Sequence, residues 1–413
     1  MVVDLKSIVD DEATSWERVQ SMRDSFDPRS FESVRAHSRE EANRRAEDLI
    51  YSVLKAYEDL GLDFNNADPG HAAGHVMRDF VNASILFRTL DVDPTHAFVG
   101  HVGGVLHDLG CALVDRYHDP KRAVRHAEVG ALLFLDIADH IGADLSDIEK
   151  NLIAYSIAAH THYRGPSKTV TCGDGIERTV SPYTDLDSEG NPLYGVWMAR
   201  FVDRLDVVGP GHLGRHYLTL VQSHEDHADS GFYLVEFDHT MKPLLRDRET
   251  IKAEGGRQTV LEHVRMLADS QNNDSPYGKH DFGAMIPLRD LIRDMSHRII
   301  EAVHHPRELS GDHMKKVNSA WDLFLTRTVE PTENAAVATS YLRSRFEALD
   351  ETTRSAWSSG FLTAMQEYIH WADIKLEHLA QLGITRFDLP SISRDIREVI
   401  RPSPEWTESI KGI

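Results

Sequence analysis

Apolar residues in the first half of the chain recur at intervals of three and four, the spacing of helices with one buried face. From about Ser33 to Leu60 the pattern predicts a helix with Ala46, Leu49, Ile50, Val53, Leu54 and Tyr57 on one side. GLDFNNADPG (61–70) reads as a loop, and a second helix is predicted from His71 to about Leu90. DVDPT (91–95) interrupts the pattern, with Thr95 expected to cap a helix over 96–109. HDPKR (118–122) is a turn before a helix over 123–141. Ser146 with Glu149 predicts a capping box for a helix over 147–161. Residues 1–30 are rich in charge and are expected at the periphery.

The pattern changes at 165–195, where β-branched runs are broken by Gly-Asp-Gly and Glu-Gly-Asn-Pro, which predicts a β-hairpin inserted between helices. Helix resumes from Gly195 to Val208, and FYLVEFD (232–238) reads as a strand. The polar stretch 270–283 is a loop, either a boundary or a lid. Beyond Met285 the pattern is helical again. Over 351–382, Trp357, Phe361, Met365, Tyr368, Ile369, Ala372, Leu376 and Leu379 form a packing stripe closed by Gly383. The expected fold is mainly α: a helical bundle with a small β-hairpin insertion and a helical C-terminal region. Its expected parts are an N-terminal helical segment (1–60), a central domain (61–215), a mixed connection (216–283) and the C-terminal region (284–413).

Charge narrows the range of partners. Lys and Arg total 45 against 66 Asp and Glu, a net charge of −21. That disfavours extended nucleic acid and anionic membrane surfaces, but allows a small phosphorylated substrate where metals or local basic groups supply positive charge. Two cysteines, Cys111 and Cys172, cannot build a disulfide framework. The acidic N-terminus lacks the apolar run of a signal peptide, and no apolar stretch of about 18 residues stands out, so a cytoplasmic protein without a membrane span is expected.

Ligand-type residues collect in the apolar helices of the central part. His75 lies in GHAAGHVMRDF, four residues after His71, so the two share a face if the helix has begun by His71. His107-Asp108 ends the apolar run of GVLHDLGC, and adjacent helical residues point about 100° apart, so they can flank a metal pair but not bind each other. His126 opens an apolar helix in which Gly130 allows close approach, His160 ends another and is followed by His162, and Asp203 sits among Phe201, Val202 and Leu205. A carboxylate in such surroundings is costly to bury without a cation. Together these residues predict a buried metal site of mixed imidazole and carboxylate ligands.

The order His75, His107-Asp108, Asp203 resembles the HD superfamily of metal-dependent phosphohydrolases, with HDLG and VDRLD as the matching strings, over roughly residues 65–215. His126 and His160 are similar to the additional ligands of its dinuclear members, which include HD-GYP cyclic-dinucleotide phosphodiesterases and di-iron oxygenases. The resemblance implies an HD-domain bundle in which Asp108 bridges two divalent cations. His75, His107 and Asp203 would complete one site and His126 and His160 the other, with His162 in reserve. Fe, Mn, Zn, Ni, Co and Mg are not distinguished by such ligands. The chain departs from the HD-GYP pattern, with YRGP where that group has Gly-Tyr-Pro, and Cys111 stands where many members carry Lys.

The activity implied is hydrolysis of a phosphomonoester or phosphodiester, a nucleotide or cyclic nucleotide favoured, by metal-activated hydroxide. His71 or His162 would protonate the leaving oxygen. Arg164 and Lys168 either grip the phosphate or are ordinary hairpin surface charge. A di-iron oxygenase and a non-catalytic metal- or nucleotide-binding sensor are the alternatives. Long helices after residue 285 suit a homodimer.

Overall fold

The computed structural model describes residues 3–10, 12–35, 38–64, 67, 71, 73–89, 92–116, 122–160, 168–171, 175–180, 183–184, 186–190 and 193–207. Toward the C-terminus it describes 294, 298, 301–302, 305–323, 347, 350–389, 392–401 and 403–413. The expected strand 232–238 and loop 270–283 lie outside these residues. The chain divides into two compact units, Met1–Leu205 with Phe387–Ser393, and Asp206–Arg386 with Arg394–Ile413.

The first unit is built of helices α1 (Leu5–Asp10), α2 (Glu12–Asp24), α3 (Arg39–Asp59), α4 (Ala73–Thr89), α5 (Pro94–Leu106), α6 (Cys111–Arg116), α7 (Arg122–His140), α8 (Asp147–Ala159) and α9 (Tyr194–Val207). Between α8 and α9, two short strands, β1 (Lys168–Thr171) and β2 (Glu177–Val180), pair antiparallel with Lys168 opposite Val180. The mainly α character expected from the pattern holds. Five boundaries differ appreciably from the sequence reading. α3 begins at Arg39, with the Ser38 side chain accepting from the Glu41 N–H as its cap, rather than near Ser33, which ends a 3-10 helix over Pro28–Ser33. α4 begins at Ala73, so His71 precedes the helix. α5 is capped by Asp93, whose side chain accepts from the Thr95 N–H, rather than by Thr95: Pro94 occupies the first turn, where its missing N–H costs nothing. α5 ends at Leu106, so His107–Gly110 form a turn rather than a helix end. α8 ends at Ala159, with His160 as its C-cap.

Helix α5 is the axis of this unit. Every residue from Ala97 to Leu106 is buried, and α3, α4 and α8 pack around it. The stretch Pro94–Val114 is apolar and long enough to cross a membrane, contrary to the sequence expectation, but its apolar window is wholly buried within the protein. Its composition suits a central core helix. A polar bond network crosses this core: Asn43 donates to the Phe87 carbonyl at 3.2 Å, and His101 Nδ1 lies 3.1 Å from Asn43 Oδ1. Burial lowers the His101 pKa to about 3, so this ring is a neutral structural group.

The N-terminal helices are not peripheral. Ile8 and Val19 are buried, and Arg18 of α2 makes two hydrogen bonds to Asp136 of α7, at 3.2 and 2.6 Å. The segment after β2 is anchored to α7 as well. Tyr183 donates to Glu128 Oε1 at 2.8 Å, with the Arg23 guanidinium 4.4 Å from the centre of its ring. Burial raises both the Glu128 carboxyl and the Tyr183 hydroxyl, so the phenol keeps the proton it donates.

Glycine spacing on α5 sets the position of α9. A Cβ at Gly100 would lie 3.1 Å from Met198 Cβ, one at Gly103 3.6 Å from Ala199 Cβ, and one at Gly104 3.1 Å from Val202 Cβ. The three glycines therefore form the face on which α9 lies, bringing the residue after Val202, Asp203, to the end of α5.

In the second unit, α10 (Gly311–Leu323), α11 (Glu351–Gln381), α12 (Ile396–Ile400) and α13 (Pro404–Ser409) are described. Strands β3 (Arg386–Leu389) and β4 (Ile392–Asp395) pair with each other, and Phe387–Ser393 is grouped with the first unit. Met365, Ala372 and Leu379 on α11 are buried at seven-residue intervals, as expected of a packing stripe, and Gly383 follows in the left-handed conformation. The strand pair is an addition to the purely helical C-terminal region expected from the pattern.

The cap of α8 gives a stability test. Glu149, fully buried, accepts from the Ser146 N–H at 2.8 Å and from Arg45 at 2.8 Å. Burial works against its charge, but the bonds from Ser146 and Arg45 outweigh this and lower its pKa. Glu149→Ala removes the capping box and strands a mostly buried guanidinium, so chemical denaturation is expected to show a loss of about 3 kcal/mol. Because the folded pKa is the lower one, wild type holds this contribution above the unfolded carboxyl range. It loses it as pH falls through the folded value, whereas the variant's stability lacks that pH dependence.

Candidate metal centre

The turn between α5 and α6 carries the two residues at the middle of the site. The Leu109 N–H bonds the Leu106 carbonyl and the Cys111 N–H bonds the Asp108 carbonyl, at 3.2 and 2.9 Å, which tightens the chain between the two helices. His107 Nδ1 lies 2.8 Å from the Gly104 carbonyl oxygen. A carbonyl only accepts, so Nδ1 carries the proton and Nε2 turns its lone pair into the site. His160 repeats the device at the end of α8, with Nδ1 2.7 Å from the Ile157 carbonyl oxygen. In both cases a carbonyl in the last turn of a helix orients the imidazole, as outer hydrogen bonds do for metal-binding histidines.

Six sequence-predicted residues converge here. Asp108, with 1% of its surface exposed, sits between two histidine pairs. Its Oδ2 lies 3.4 Å from His75 Nε2 and 3.2 Å from His107 Nε2, and its Oδ1 lies 3.7 Å from both His126 Nε2 and His160 Nε2. Adjacent His107 and Asp108 thus approach each other, as a helical pair would not. Asp203 joins the first pair, with Oδ1 3.6 Å from His75 Nε2 and 3.8 Å from His107 Nε2. Its side chain is 21% exposed against 9% or less for the other five, so Asp203 marks the solvent side of the cluster.

The arrangement fits cations better than a closed hydrogen-bond network. The facing nitrogens of His75 and His107 are 3.4 Å apart, and those of His126 and His160 are 3.2 Å apart. Nitrogens bound to one ion at about 2.0–2.1 Å stand about 2.9–3.4 Å from each other, depending on the angle between them. Neither oxygen of Asp108 has a hydrogen bond of acceptable geometry despite four nearby nitrogens, a costly state for a buried carboxylate that a shared cation relieves. His75, His107 and Asp108 form one group able to hold an ion, and Asp108, Cys111 and His126 form another.

The electrostatics point the same way. Burial opposes charge on His107, but the carboxylates of Asp108, Asp203 and Asp79 outweigh it and raise its pKa to about 9. His160 is held well below its usual range by burial and by His107 and His126, so it is a neutral imidazole suited to ligation. Asp108 is held well below the carboxylate range: burial pushes it up, but His107 and His71 prevail. This cluster stabilises positive charge at its centre.

His71, although outside α4, stays at the rim, its ring centre 6.1 Å from that of His75 and 6.2 Å from that of His126. His162 and Arg164 lie outside the described residues, and of Lys168 only the backbone position in β1 is described. Two site residues escaped the sequence reading. Asp79 is fully buried, with Oδ2 3.0 Å from His75 Nε2. Its signal was available, as an acid one helical turn after a ligand histidine on an apolar helix. Cys111, three residues after Asp108, is read from the sequence only as the position where many HD members carry Lys, not as a candidate ligand.

Asp108→Ala removes the carboxylate that faces both histidine pairs. Protein carrying it is expected to lose its bound metal, read by elemental analysis after gel filtration in chelator-free buffer. Retention of the full wild-type content would show that the metal lies elsewhere.

No protein-family model, no curated protein and no solved structure matches this chain; its mainly helical fold and buried His/Asp cluster are compatible with an HD-like bundle.

Proposed function

We propose that the protein is a metal-dependent phosphohydrolase of HD type that binds two divalent cations and cleaves a phosphomonoester or phosphodiester, with a nucleotide or cyclic nucleotide as the favoured substrate. The observation that carries this reading is the division of Asp108: one oxygen faces His75 and His107, the other His126 and His160. A single carboxylate shared between two ligand sets is suited to a pair of ions, with Asp203 completing the first set. Divalent cations there supply Lewis acidity and lower the pKa of water toward neutrality, the chemistry that phosphoester hydrolysis needs.

The chain's own groups have separable tasks. Asp108 and Asp203 give the site the negative charge that retains cations, and the buried Asp79 adds to it. A phosphate approaching such carboxylates is repelled unless that charge is neutralised, so substrate binding depends on the loaded centre. The partial exposure of Asp203 gives the direction of approach. His71, beside both histidine pairs and outside the ligand set, is positioned to donate a proton to the leaving oxygen. His107 and His160 keep their Nδ1 protons on backbone carbonyls and so take no part in proton transfer.

Protein purified without chelators is expected to carry close to two transition metals per chain and to hydrolyse members of a nucleotide and cyclic-nucleotide panel. His71→Ala should lower kcat about 10²–10⁴-fold with metal content unchanged, as loss of a general acid does. Oxygen consumption by the ferrous protein without phosphoester cleavage would overturn the hydrolase reading in favour of an oxygenase. Tight nucleotide binding without turnover would overturn it in favour of a sensor.

A further inference from the structure

Among the described residues, His126 of the second histidine pair has a sulfur neighbour. Cys111, completely buried, opens α6 directly after the His107–Gly110 turn. Its Sγ, a carboxylate oxygen of Asp108 and a ring nitrogen of His126 all lie within 4.8 Å of one another. This proximity follows from a close crossing of backbones. A Cβ at Gly110 would stand 2.1 Å from the His126 carbonyl oxygen, and one at Gly130 would stand 3.0 Å from the Gly110 nitrogen. The start of α6 therefore rests on α7 at the turn that carries His126, and Cys111 is held beside that ligand. The oxygens of Asp108, 1% exposed and without well-formed hydrogen bonds, mark the same place as one for a cation.

We propose that Cys111 is a thiolate ligand of this centre and that it makes the two halves chemically unequal. The half formed by His75, His107 and Asp203 offers nitrogen and oxygen only, with Asp79 beside it, and suits a harder ion such as Mn(II) or Fe(II). The half formed by His126, His160 and Cys111 includes sulfur and suits a borderline-soft ion such as Zn(II), Co(II) or Cd(II). On coordination the Cys111 thiol gives its proton to the buffer as the sulfur–metal bond forms, and no electron is transferred. The inequality of the halves rests on the two-cation reading above, whereas the sulfur ligand does not.

The test uses the full-length reduced protein, stripped with chelator and titrated with Co(II) while the near-ultraviolet spectrum is recorded. Wild type and Cys172→Ser are expected to develop a thiolate-to-cobalt charge-transfer band that Cys111→Ser lacks. Absence of the band in wild type at saturating Co(II), or a band that follows Cys172, would overturn the assignment. Because wild type and Cys172→Ser decide this between them, the result stands even if Cys111→Ser fails to fold. The stoichiometry of the same titration tests the two-cation reading separately. For the inequality, wild type loaded from an equimolar Zn(II) and Mn(II) mixture is expected to retain one zinc preferentially, a preference lost in Cys111→Ser. Equal occupancy of both halves by the two metals in wild type would overturn it.

Discussion

A buried carboxylate surrounded by imidazoles is the constraint around which the first unit is organised. Asp108 is almost wholly withdrawn from water, and its oxygens face four ring nitrogens without a well-formed hydrogen bond to any. Such a group is expensive to bury unless positive charge is delivered to it. Each surrounding helix contributes a group able to help hold a cation there. α4 brings His75, the end of α5 brings His107, α7 brings His126, the end of α8 brings His160 and α9 brings Asp203. A site assembled from five separate elements requires that they cross closely, and the glycines of α5 and of the α6–α7 crossing make this possible.

The unit separates its polar interior by purpose. His101 is as buried as the histidines around Asp108, but its environment lowers its pKa to about 3 and gives it a carboxamide partner, so it serves packing. His107, a few residues further along, meets three carboxylates, and its pKa is raised to about 9. The same side chain at similar depth is neutral in one place and drawn toward charge in the other. At His107 the neighbouring carboxylates outweigh burial, whereas at His101 and His160 burial prevails.

Much of this was readable along the chain, and the exceptions have physical reasons. The long helices were legible because an amphipathic face repeats at helical period, and the cap of α8 because Ser146 and Glu149 stand at the required spacing. Helix starts were harder, since the choice between Asp93 and Thr95 as cap depends on the missing N–H of Pro94. The N-terminal helices read as peripheral because charges interrupt their apolar positions. What anchors α2 is a bidentate bond from Arg18 to Asp136, 118 residues away. In the site, residue type and apolar surroundings identified the six converging side chains. Cys111 could not be identified that way, because its relation to His126 exists only once Gly110 meets α7.

The bonds from His107 and His160 to the carbonyls three residues before them carry a further consequence. Each is made within its own helix end, so it forms with the helix and does not await the rest of the centre. Two of the four rings accordingly have their rotation spent on folding, before any ligand arrives. Ordering a side chain at the moment of association typically costs about 0.5–1.5 kcal/mol. Here that cost is met by secondary structure, so a cation bound at this cluster would meet two imidazoles whose orientation is already set.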